Sequence, residues 1–107
     1  GVAGRTWGTV GSDGVATHGI RYTPVRNQLG WYSLAFDDAA FSLEQTVTAN
    51  VVSATAGLFG VNVELVSATQ ADVRIVDSTG TAVDAAFSFV RIFASEEYTA
   101  APTSASS

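Results

Sequence analysis

The chain has 107 residues, 47% of them hydrophobic and only 14% charged, with a net charge of −5 and no cysteine. That length makes one domain the natural count, and the missing thiols exclude a disulfide framework and a thiolate metal site. Scattered arginines in an acidic chain exclude the basic patch that nucleic acid requires, and no apolar run reaches the roughly 18 residues of a membrane-spanning helix, so no membrane insertion is expected.

The start Gly1-Val2-Ala3-Gly4 has no initiator methionine and no signal-peptide pattern, and reads as an excised fragment. Thr6 to Val10 is a first strand, followed by Gly11-Ser12-Asp13-Gly14, a turn whose Asp-Gly suits positive φ. Val15 to Tyr22 resumes an extended pattern. Pro24 and the run Arg26 to Gly30 are expected to break it.

Trp31 to Phe36 is the clearest strand. Tyr32, Leu34 and Phe36 fall on one face, and Trp31, Ser33 and Ala35 on the other. Asp37 and Asp38 stop it. Phe41 to Gln45 reads as an irregular link, and the Val- and Thr-rich stretch Thr46 to Ser53 as a strand. Ala54 to Gly60 reads as a loop. Val61 to Leu65 and Ala71 to Val76 alternate, with Val73 and Ile75 inward and Asp72 and Arg74 outward.

Asp77-Ser78-Thr79-Gly80 is a strong turn signal. The last strand runs from Ala85 to Phe93, with Phe87, Phe89 and Arg91 on one face and Ser88, Val90 and Ile92 on the other. Being apolar on both faces, it should be buried on both. Either sister chains or covering loops would do this. Residues 99–107 are nearly all Ala, Ser, Thr and Pro and read as a disordered tail behind a head domain of residues 1–98. Seven or eight short strands with turns between them predict an all-β antiparallel sandwich. A surface so poor in charge must expose small residues or hide part of itself in an oligomer.

Catalytic residues are not expected. His18 is the only histidine, no serine sits in a nucleophile elbow, and a triad needs a base, a nucleophile and an orienting group together. One histidine without cysteine does not make a zinc site, and no cofactor or metal is expected. The Asp37–Asp38 pair has too few spaced oxygen ligands for calcium and reads first as a turn. A ligand surface would draw on Trp31, Arg21, Arg26, Asp37 and Asp38. Trp31 has three roles open to it: contact with a neighbouring chain, stacking against a sugar, or packing under the Leu29 loop. Trp7 is placed to pack on a preceding stalk.

The order of three motifs resembles the C-terminal head domains of phage tail-fibre, bacterial fibre and collagen-like proteins. They are Gly11 to Gly14, Gly30 to Phe36, and the run Val73 to Phe89 with its Asp77, Gly80, Asp84, Phe87 and Phe89. Those heads are similar to the trimeric sandwiches of tumour-necrosis-factor-like and H-type-lectin-like proteins. The resemblance implies a jelly-roll-like sandwich, a homotrimer with Val90, Ile92 and Trp7 in its interface, and a fibre tip on a virion or cell surface that recognises a surface glycan or receptor. The recognition loops would be Arg21 to Leu29, Asp37 to Ala40 and Ala54 to Gly60. A purely structural trimerisation cap, an accessory carbohydrate-binding module of a secreted enzyme and a catalytic domain are the rival expectations.

Overall fold

The computed structural model describes residues 3–40, 44–52 and 59–94. Eight strands follow one another: β1 (Ala3–Val10), β2 (Ala16–Ile20), β3 (Tyr22–Gln28), β4 (Trp31–Phe36), β5 (Gln45–Val51), β6 (Phe59–Ser67), β7 (Gln70–Asp77) and β8 (Phe87–Ala94). They form two four-stranded sheets, and every strand pairing is antiparallel. The first sheet has the order β2-β1-β8-β5 and the second the order β3-β4-β7-β6. The fold is an all-β antiparallel sandwich.

Alternation along the strands explains why the sheets stack. On β4, Tyr32 and Leu34 are fully buried and Phe36 nearly so. On β8, Phe87, Phe89, Arg91 and Phe93 point inward in the same phase. Phe87 and Phe89 meet the second sheet through aromatic contacts. Tyr32 lies 5.1 Å from Phe87, Tyr22 packs edge-on at 4.8 Å from Phe89, and Phe36 follows at 6.0 Å from Phe89. Val10, Val47, Ala71, Val73 and Ile75 close the core around them.

The turns match their chemistry. Asp77 Oδ1 accepts from the Thr79 amide at 2.9 Å, the Thr79 hydroxyl at 2.6 Å and the Thr81 amide at 3.1 Å, while Gly80 takes a φ of 87°. Gly30 turns β3 into β4 at a φ of 70°, and the backbone of Ile75 and Val83 leaves no room there for a Cβ.

Several expectations need correction. Residues 22–28 form a strand, so most of the expected recognition loop Arg21 to Leu29 is sheet. Pro24 does not break it because β3 is an edge strand, where one missing N–H costs no ladder bond. Phe59 and Gly60 belong to β6, not to a loop. Asp72 points to the outer face but is 6% exposed, buried by its own hydrogen bonds. β8 is the central partner of β1 and β5, yet within one chain it is buried on one face only. Val90 and Ile92 are 47% and 45% exposed, so no loop among the described residues covers them. The expected tail 99–107, the expected loop 54–58 and the link at 41–43 lie outside the described residues.

Candidate binding surfaces

Register decides what each outer face displays. On the first sheet, Trp7 of β1 stands opposite Ile20 of β2 and opposite Val90 of β8. Ile92 lies two residues along β8, paired with Arg5 and Thr46. Trp7 is 48% exposed and Ile20 49%. The three expected interface residues Trp7, Val90 and Ile92 are thus brought onto one face, and Ile20 joins them. Beyond this apolar row the face turns polar. Thr9 and Ser88 share a hydrogen bond of 3.0 Å, and His18 is paired with Thr9.

The second sheet's outer face is different in kind. Trp31 of β4 is opposite Arg74 of β7, which is opposite Asn62 of β6. One step along, Ser33 is opposite Asp72, which is opposite Glu64. Asp72 collects three donors: Trp31 Nε1 at 3.1 Å, the Ser33 hydroxyl at 2.9 Å and Gln70 Nε2 at 3.1 Å. Asn27 extends the chain by donating to Ser33 at 2.7 Å. Burial pushes the Asp72 carboxyl up, but the donors from Gln70, Ser33 and Trp31 outweigh it and hold the group below the usual carboxylate range. The Arg74 guanidinium lies 4.3 Å from the Trp31 ring centre.

The expected ligand residues do not form one site. Arg21, Asp37 and Asp38 gather at the end where β2 passes into β3. Arg21 donates to Asp38 through Nε at 2.6 Å and Nη2 at 2.7 Å, and the Asp37 amide bonds the Arg21 carbonyl at 3.0 Å. Arg26 and Trp31 lie at the opposite end of the β3–β4 hairpin, roughly 15 Å away along the strand. Arg26 donates to Asp84 at 2.9 Å; Asp84 also accepts from the Gly30 amide at 2.8 Å and the Tyr32 hydroxyl at 3.3 Å. The Arg21 bond lowers the Asp38 pKa, and the Arg26 bond lowers that of Asp84. Burial, then the charge of Asp84, pushes the Tyr32 phenol up to about 12.

Sequence reasoning missed Asp72 as a hub. A carboxylate inside a strand, where Asp is disfavoured, is the one signal that marks it. It also missed Asp84, whose partners are 54 and 58 residues away in the chain.

Arg91 is fully buried between the Phe36 and Phe93 rings, with its guanidinium carbon 4.1 and 3.9 Å from their centres. It donates to Gln45 Oε1 at 2.8 Å and to the Ala68 carbonyl at 2.9 Å, and Nη1 has no partner among the described residues. Burial lowers its pKa. His18 sits exposed on β2 with Nδ1 3.2 Å from the Thr17 hydroxyl. Among the described residues no group of three His, Asp or Glu stands close enough to hold a metal ion, and no helix is long and apolar enough to cross a membrane. Comparison with protein-family models, with characterised proteins and with solved structures gives no match for this chain.

Proposed function

We propose that this domain is a non-catalytic assembly and recognition module, a jelly-roll-like head that trimerises through the outer face of its first sheet and meets a cell-surface glycan or receptor with its remaining surface. The observation that carries the reading is the exposed row Ile20, Trp7, Val90, with Ile92 beside it. Outer sheet faces are normally polar, and contiguous apolar patches on them mark interaction sites. The nested pairing supports the rolled topology: β1 lies beside β8, and β4 beside β7.

Three copies suit the patch better than two. A four-stranded face about six residues long spans roughly 400 Å² in projection. Two such faces in contact fall short of the roughly 1,200 Å² of total area that stable pairs bury. In a closed ring each chain meets two neighbours and adds its flanking edges. Such a head acts at an extracellular surface or on a virion.

The test is the solution mass, by light scattering on a gel-filtration column at low micromolar concentration. Three chains are expected. A single chain would refute the trimer.

A further inference from the structure

We infer that β5, the edge strand beside β8, is a strand-addition site that pairs antiparallel with β5 of a second copy. The sandwich has four edge strands, β2, β3, β5 and β6. Edges are normally blunted by proline, charge, short length or a bulge. β2 is five residues long, β3 carries Pro24 and Arg26, and β6 carries Glu64. A register shift also interrupts the pairing of each of these three. β5 has none of these devices. Gln45–Val51 holds no charge, proline or glycine, and its register against β8 runs unbroken from Gln45↔Phe93 to Val51↔Phe87.

Two backbone bonds fix which peptide groups are left open. The Ala94 amide donates to the Glu44 carbonyl at 2.9 Å, and the Val52 amide to the Ala86 carbonyl at 2.8 Å. Antiparallel ladders alternate, so Thr46, Thr48 and Asn50 also turn their peptide groups to β8. Gln45, Val47, Ala49 and Val51 turn theirs to the free side. Among the described residues no backbone group outside the ladder reaches these four.

That row is complementary to itself. A two-fold axis at Thr48 sets Gln45 against Val51 and Val47 against Ala49, each pair exchanging both backbone bonds. A slip of the axis by one residue leaves Gln45 or Val51 unpaired. On the outer face Thr46 then meets Asn50 of the second copy and Thr48 meets its own counterpart, with no like charges opposed. Such a two-fold contact closes on itself and does not propagate as a fibre. A seven-residue edge is about 24 Å long and about 10 Å deep. Two such edges bury far less than the roughly 1,200 Å² of a stable pair. Edge pairing therefore belongs to concentrations well above those of the proposed trimer, which would use the outer face.

The chain has no cysteine, so one introduced thiol reports the register. Opposed residues of a non-hydrogen-bonded pair have Cα atoms about 4.5 Å apart, within disulfide range. Oxidised at high concentration and run on non-reducing denaturing gels, Thr48→Cys should give a covalent dimer. Thr46→Cys alone and Asn50→Cys alone should stay single, because each lies about 14 Å from its own counterpart. The two mixed should cross-link to each other. All three side chains are exposed, so the variants should keep the circular dichroism of the parent. No Thr48→Cys dimer, a Thr46→Cys or Asn50→Cys variant that dimerises equally well alone, or a mixture that fails to cross-link would each overturn the proposal. A three-chain mass of the parent without the Thr48→Cys dimer overturns the edge and leaves the trimer standing. A single-chain parent whose three thiol variants behave as expected does the reverse.

Discussion

The two outer faces of this sandwich are built from four antiparallel strands each with the same alternation, yet they display opposite surfaces. The first sheet shows Trp7, Ile20, Val90 and Ile92 to solvent, held in place by register alone. On the second sheet, Trp31 is tied down through Asp72 and laid against Arg74. Among the described residues one tryptophan is half exposed with no hydrogen-bond partner for its ring, and the other is locked into a network. The difference teaches that exposure of an aromatic residue is informative only with its partners. Trp7 stands half exposed in an apolar row, whereas Trp31 belongs to a polar network.

The comparison breaks most visibly at Val90. Val90→Arg puts a charge into the apolar row beside Trp7, and burying an unpaired charge is prohibitive. Light scattering should show the assembly reduced to single chains, with the circular dichroism of the fold retained. Glu64→Arg, the matching change on the second sheet, should leave the mass unaltered. If both variants dissociate, the assembly does not use the first sheet in particular.

A smaller effect is expected at Asp72. Asp72→Ala strips the acceptor from Trp31, Ser33 and Gln70 at once, and should cost about 2–3 kcal/mol in urea denaturation. On the other face Ser88→Ala removes one partly buried bond to Thr9 and should cost about 1 kcal/mol or less. Equal losses would mean that the network does not act as a unit.

Between the two faces lies Arg91. A buried arginine with a carboxylate partner costs about 3–5 kcal/mol to remove, because the partner is stranded. Among the described residues Arg91 donates only to the neutral acceptors of Gln45 and Ala68, with Asp38 acting on it by charge and not by a hydrogen bond, so Arg91→Met should change stability by less than about 1 kcal/mol. A loss of several kcal/mol would reveal a charged partner.

The mildest change is acidification. Asp38, Asp72, Asp77 and Asp84 all have pKa values below the ordinary 3.8 in the folded chain. As pH falls, the unfolded chain takes up protons at these groups first. Their contribution is therefore complete well above pH 3.8 and is lost as pH drops through the lowered values. The Tm should be flat above about pH 5 and decline below about pH 4. Asp72→Asn should shallow that decline, with the three buried bonds on the second sheet as the cause.

Much of this fold was legible. Phe87, Phe89 and Arg91 share a face because a strand has period two, and so do Tyr32, Leu34 and Phe36. The expected interface residues Trp7, Val90 and Ile92 come from distant parts of the chain, and the sheet brings them together. What stayed hidden depends on which strand is an edge. Pro24 reads as a breaker until β3 is known to have a free side. Asp72 reads as a surface charge until Trp31, 41 positions earlier, is known to bond it. Arg21 and Arg26 read as candidate ligand residues, and both find carboxylates that no local pattern announces.

One residue joins the two sheets at the corner between β2 and β3. Arg21 is the only residue between them, and among the described residues it is the only non-glycine with positive φ, at 65°. Its side chain grips Asp38 with two bonds, and its carbonyl holds the Asp37 amide. Any force that draws the two sheets apart is carried in part across that corner. The guanidinium–carboxylate clamp then sets how far the corner can yield before β3 peels from its edge. Because the clamp depends on an ionised Asp38, the corner should stay intact through mild acid and yield more easily only as pH drops through the lowered Asp38 value.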